Sequence, residues 1–209
     1  MNPFEQLAAE MQQLAPFRIR YKASSWEMKA LNVIMQWISP TFLTRFTTVI
    51  GSTIYFPSEE YVVRHPRAAM RILAHEMVHM LDAERVSLPL FIGGYLFPQV
   101  LALGALAYPW LGTAALWFLL FLLPWPAPFR SHFEARAYAM DILTAAPARR
   151  SEVLNWAVDY FSSWSYFRMF PFPNRVRRQI CRHIDNAEAG HDTTLLKVLL
   201  VYELVAENS

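Results

Sequence analysis

Residues 68–85 read AAMRILAHEMVHMLDAER, a segment with apolar residues at helical spacing and two histidines four positions apart. On an α-helix such residues share a face, so His75 and His79 can offer imidazole nitrogens to one ion. Glu76 directly follows the first histidine and points elsewhere around the helix. It can therefore reach water at the ion without binding the metal itself. Zinc in such a site draws the pKa of water toward neutrality, and a neighbouring carboxylate takes the proton as the water attacks a carbonyl. At average histidine and glutamate frequencies this pattern arises by chance in on the order of one chain in a hundred of this length. Its place within a helical segment that follows a strand favours the zinc reading over two incidental histidines.

A catalytic zinc takes three protein ligands and keeps a fourth position open. Asp82 lies three residues after His79, but a straight helix rarely brings three ligands at this spacing onto one ion. A turn-forming glycine is missing there, since position 82 is the aspartate. Glu134, in HFEARAYAMD (132–141), lies on a separate helix and is the better third ligand, with His132 as a rival on the same helix.

The chain has 209 residues, of which 55% are hydrophobic and 17% charged, and the excess is not evenly spread. From Val86 to Phe129, 44 residues pass without Asp, Glu, Lys, Arg or His. Within them Leu88–Ala107 and Trp110–Pro126 are predicted as two apolar helices, each near bilayer-crossing length and joined by a turn at Tyr108–Gly112. Tyr95, Tyr108, Trp110, Trp117 and Trp125 supply an aromatic belt. The remainder of so short a chain has little material with which to wrap this run, which favours a lipid bilayer over a soluble core. Arg85, Arg130 and Arg136 flank the hairpin and its turn is uncharged, so both ends are expected in the cytoplasm.

Elsewhere the pattern predicts a mostly helical α+β fold. Helices are expected at 4–14, at 24–39 with Ser24 or Ser25 as cap, from Pro66 to about Arg85, at 131–145 with Ser131 as cap, and near 149–162, 174–189 and 193–206. Strands are expected at 17–21 and on either side of Gly51 within 45–57, and an aromatic loop at 163–173. The implied divisions are 1–87 with the HEMVH helix, 88–127 as the hairpin, and 128–209 with the third-ligand helix.

This order of strand, HEMVH helix, apolar hairpin and Glu134 helix resembles the gluzincin metallopeptidases. Within them it is most similar to the membrane-embedded group of HtpX heat-shock peptidases and CAAX prenyl endopeptidases. There an apolar hairpin separates the HExxH helix from a helix carrying the third ligand in an ExxAD motif. Here Glu134, Ala135, Arg136 and Ala137 match its first four positions, while Tyr138 stands in place of the aspartate and Asp141 follows a turn later. The likeness covers about residues 45–145. It implies a zincin-like core, a membrane-anchored zinc endopeptidase with Glu76 as base and His75, His79 and Glu134 as ligands, and a polypeptide substrate. The alternative from another class is a non-enzymatic membrane or assembly protein with a structural zinc.

Other features narrow the reading further. A formal charge of +2 is too small to suggest nucleic-acid binding, and a solvated helix face accounts for Arg175, Arg177, Arg178 and Arg182. Cys181 is the single cysteine, which rules out an intrachain disulfide. The first residues lack a basic start followed by a long apolar core, so no signal peptide is expected. Tyr138, Tyr166, Arg178, His183 and His191 are candidate oxyanion donors, and GSTIYFP (51–57) is a candidate edge strand for peptide pairing.

Overall fold

The computed structural model describes residues 2–36, 43, 47–123, 125–163 and 170–207. The chain divides into two compact units, Met1–Met80 with Lys197–Ser209, and Leu81–Leu196. It is a mostly helical α+β protein with one small mixed sheet.

In the first unit, α1 (Pro3–Met11) begins at a reciprocal cap. The Asn2 side chain accepts from the Phe4 N–H, and the Glu5 carboxylate accepts from the Asn2 N–H. Phe4, Leu7, Ala8 and Met11 are its buried stripe, and Phe4 meets Phe56 edge-on at 5.2 Å. Strand β1 (Arg18–Tyr21) leads through α2 (Trp26–Met35) toward β2 (Thr48–Ile50) and β3 (Thr53–Phe56). Gly51, at φ 59°, makes the tight connection between the last two strands. The sheet order is β1-β3-β2, with β1 parallel to β3 (Ile19 opposite Ile54) and β2 antiparallel to it (Val49 opposite Ile54). GSTIYFP therefore supplies the central strand, whose two edges are already paired, and it cannot accept a peptide. A short α3 (Glu59–Arg64), capped by Ser58 on the Tyr61 N–H, precedes α4 (Pro66–Val86).

The expected long helix at 24–39 begins at Trp26, and the Ser25 hydroxyl donates to the Tyr21 carbonyl rather than capping. Its predicted end, with Pro40, lies outside the described residues, as do Arg45 and Phe46 of the predicted strand and most of the aromatic loop.

In the second unit the apolar run departs from two long α-helices. It forms α5 (Leu88–Tyr95), a 3₁₀ segment over Gln99–Ala107, the one-turn α6 (Tyr108–Leu111) and a second 3₁₀ segment over Gly112–Leu122. By length and composition alone the 24 residues Gln99–Leu122, of mean hydropathy 1.7, are long and apolar enough to cross a membrane, and only 6% of their most apolar window is buried. The stretch nevertheless folds back on itself. A Cβ at Gly104 would run into the Phe118 ring, although a straight helix would hold positions this far apart by roughly 20 Å. The hairpin is thus present with its turn near Gly112, which adopts φ 55°. Its 3₁₀ arms of 9 and 11 residues extend about 18 and 22 Å, less than the ~30 Å hydrocarbon core.

Helices α7 (Pro128–Leu143), α8 (Arg150–Ser162) and α9 (Pro173–Glu188) follow, and α10 (Thr193–Glu207) ends the described chain. Helix α7 starts a turn earlier than its sequence suggests because Pro128 occupies its first turn, where a missing N–H costs nothing. Ser131 is consequently buried inside the helix, donating to Gln179 Oε1 at 2.8 Å, and is not a cap.

Candidate metal centre

Helix α4 buries Ala69, Met70, Leu73, Ala74, Met77 and Val78, a period that fixes its rotation. The two histidines follow from that rotation. Their rings stand 5.1 Å apart and 75° to one another, His75 half-buried and His79 9% exposed. On α7, Ala135, Ala137 and Ala139 are buried, and Glu134 is 3% exposed. One ligand atom from each of His75, His79 and Glu134 lies within 4.8 Å of the others, a group that could hold a metal ion. Two imidazole nitrogens and a carboxylate oxygen form the donor set of catalytic zinc, in which ligands ~2.1 Å from an ion sit roughly 3.4 Å apart. The residues fit the ion.

Two further residues bear on this site and were not expected from the sequence. Tyr95, placed by sequence in an aromatic belt, donates its hydroxyl to Glu134 Oε1. Its ring stacks on Phe91 at 5.7 Å, and the Arg130 guanidinium sits 4.5 Å from its centroid. Lys22, immediately after β1, is fully buried. Burial lowers its ammonium pKa to about 8, and the Glu76 carboxylate nearby opposes that shift. Only the expectation that Lys is almost never fully buried hides it in the sequence.

The rival ligands have other employment. Asp82, 1% exposed, is ion-paired with Arg136. The same guanidinium also donates to Asp192, from Nη2 at 2.8 and 3.0 Å and from Nε at 3.2 Å. Asp192 in turn accepts from the Leu195 N–H at 3.1 Å. Burial pushes the Asp192 carboxyl up, but that N–H and Arg136 outweigh it and hold the pKa below the usual value. His132 packs against His183 with ring centroids 5.1 Å apart. Burial lowers both, His183 to about 4 with His132 and Arg136 adding to the effect and Asp192 opposing it.

The oxyanion candidates fare unevenly. Tyr138 is buried edge-on to Trp156 and Phe161, its phenol held well above 10 by burial and then by Glu134 and Asp141. Standing in an aromatic cluster, it does not reproduce the charge of the aspartate in ExxAD. Arg178 and His191 are exposed, and Tyr166 lies outside the described residues.

Comparison with protein-family models, with curated proteins and with solved structures finds no match for this chain. The candidate centre therefore stands on its own residues, a His–His–Glu group suited to a metal ion.

Proposed function

We propose that the chain is a membrane-anchored zinc endopeptidase of the gluzincin kind, with His75, His79 and Glu134 as ligands and Glu76 as general base. The observation that carries this reading is the convergence of the three ligand atoms within 4.8 Å, with Glu76 adjoining the first ligand. Zinc held there would polarise a peptide carbonyl and make water acidic enough to attack at neutral pH. Glu76 accepts the proton from the attacking water and returns it to the leaving amine. The buried Lys22 ammonium lies near enough to Glu76 for the two charges to attract one another. Tyr95 orients the Glu134 carboxylate through its hydroxyl. The substrate class is polypeptide.

The exposed apolar hairpin supports anchorage in a lipid bilayer. Arg85, Arg130 and Arg136 flank the run and its turn is uncharged, which supports the reading that both ends of the hairpin face the cytoplasm.

The test is zinc content and casein hydrolysis, measured on wild type, His75→Ala/His79→Ala and Glu76→Gln. We expect about one zinc per chain in wild type and Glu76→Gln, none in the double histidine variant, and a hundredfold to ten-thousandfold loss of rate in Glu76→Gln. Stoichiometric zinc in the double variant would refute the ligand assignment. Unchanged hydrolysis in Glu76→Gln would refute the base. Zinc without hydrolysis of any protein substrate would favour the structural-zinc alternative.

A further inference from the structure

Helix α9 carries its charges backwards. Arg175, Arg177 and Arg178 fall in its first two turns with no acid in the first, while Asp185 and Glu188 stand toward its other end and no basic residue occupies the last turn. The helix macrodipole, positive at the start, opposes both placements. Something other than helix stability therefore accounts for the arrangement.

Arg175, Arg178 and Arg182 are exposed, and at 100° per residue they lie within about 60° of arc. Among the described residues none of the three has a carboxylate partner. Arg175 lies over the exposed ring of Phe172, 5.4 Å from its centroid. Arg177 differs, donating to Asn155 Oδ1 at 2.7 Å.

The position of this stripe follows from how α9 lies on α7. Ser131 bonds Gln179, His132 packs on His183, and Arg136 reaches Asp192 just beyond α9. Rising numbers meet rising numbers, so the two helices run in the same direction. Arg175, one turn before Gln179, is then level with Ala127, where the chain leaves the apolar run. By that register Phe172, Arg175 and Arg178 fall toward the end of α7 at which the chain leaves the apolar run.

We propose that the arginine face of α9 binds the anionic phosphate headgroups of the membrane that receives the hairpin. This rests on the anchorage read above. Guanidinium forks match phosphate oxygens, and an aromatic ring beside them suits the headgroup layer. The charge that α9 places against its own dipole is thereby met by the lipid surface.

The experiment uses the full chain in phosphatidylcholine vesicles containing phosphatidylglycerol, with one lipid or the other brominated on its acyl chains. Quenching of tryptophan fluorescence reports which lipid surrounds the hairpin, where Trp110, Trp117 and Trp125 are exposed. We expect quenching by both lipids and a several-fold preference for phosphatidylglycerol that high salt removes. Each arginine contributes at most about fivefold. The preference should vanish in Arg175→Gln/Arg178→Gln/Arg182→Gln and persist both in the corresponding triple lysine variant and in Arg177→Gln. Equal quenching by both lipids, in wild type and glutamine variant alike, overturns the headgroup site and leaves the anchor standing. Absence of quenching by either lipid overturns both.

Discussion

Replacing Tyr95 with phenylalanine should weaken zinc binding without disturbing the fold. The hydroxyl of Tyr95 donates to Glu134 Oε1, and Glu134 is the proposed ligand from a second helix. The ring has separate contacts, stacked on Phe91 and covered by the Arg130 guanidinium, and phenylalanine preserves both. The hydrogen bond to Glu134 is lost. A bond to a charged acceptor contributes about 1.5–3 kcal/mol net, which is on the order of tenfold to a hundredfold in an equilibrium constant. Removing a partner that orients a metal ligand typically weakens metal affinity by the same tenfold to hundredfold. The assay is competition for zinc against a chromogenic chelator, on full-length protein in neutral detergent, with Glu134→Ala alongside as the larger loss. A Tyr95→Phe affinity within about twofold of wild type, with Glu134→Ala strongly impaired, would show that the hydroxyl does not orient the ligand.

Other expectations concern the charges around the site. Arg136→Met strands the buried Asp82 and the half-buried Asp192 and should cost about 3–5 kcal/mol, lowering Tm by roughly 6–20 °C, whereas Asp82→Asn should leave zinc stoichiometry unchanged. A histidine held at about 4 when folded, against 6.5 unfolded, binds fewer protons in the folded state between those values. The His183 contribution is therefore complete above pH 6.5 and declines toward pH 4, with ~2 kcal/mol lost by about pH 5. Unfolding followed against pH should show this decline in wild type and a flatter profile in His183→Gln. Lys22, lowered to about 8 from 10.5, loses its proton earlier when folded than when unfolded, so stability should rise with pH across that window. Lys22→Met should abolish the rise and reduce hydrolysis, as measured by melts across the alkaline range and by casein turnover.

The parts legible in the sequence are those that depend on one segment at a time. HEMVH offers two histidines that could bind one ion, because a helix of known rotation places them on one face, and Pro66 announces where that helix begins. Glu134 could be chosen by chemistry, as the carboxylate on the next polar helix. That helix starts at Pro128 rather than after Ser131, because burial of Ser131 against Gln179 is decided by a helix forty-odd residues further on. Lys22, Tyr95 and Arg136 escaped for the same reason, since each takes its role from a partner distant in sequence. The central place of Thr53–Phe56 in the sheet likewise needs β1, which pairs with it across an intervening helix. In the apolar run, hydropathy reports transfer free energy and is blind to backbone state. Pro98, Gly104, Pro109 and Gly112 interrupt the run often enough that 3₁₀ segments replace two long α-helices.

The residues that would bind the ion are interleaved with residues that need no ion to make their bonds. Asp82 follows His79 by three positions and Arg136 follows Glu134 by two, and the pair Asp82–Arg136 ties the C-terminal part of α4 to α7. Asp192 extends the clamp to the start of α10 through the Leu195 N–H. Such a buried cluster is a poor source of net stability, because desolvation offsets most of the Coulomb attraction. Its effect is geometric, since sliding or rotating either helix would strand a charge at several kcal/mol. The cluster can therefore set the register in which Glu134 is presented, while Tyr95 sets the direction of its carboxylate. Tyr95 is also the last residue of α5, the first helical piece of the apolar run. Movement of that run against α7 would thus be felt at Glu134 through one hydroxyl, which couples the proposed anchor directly to the proposed catalytic ion.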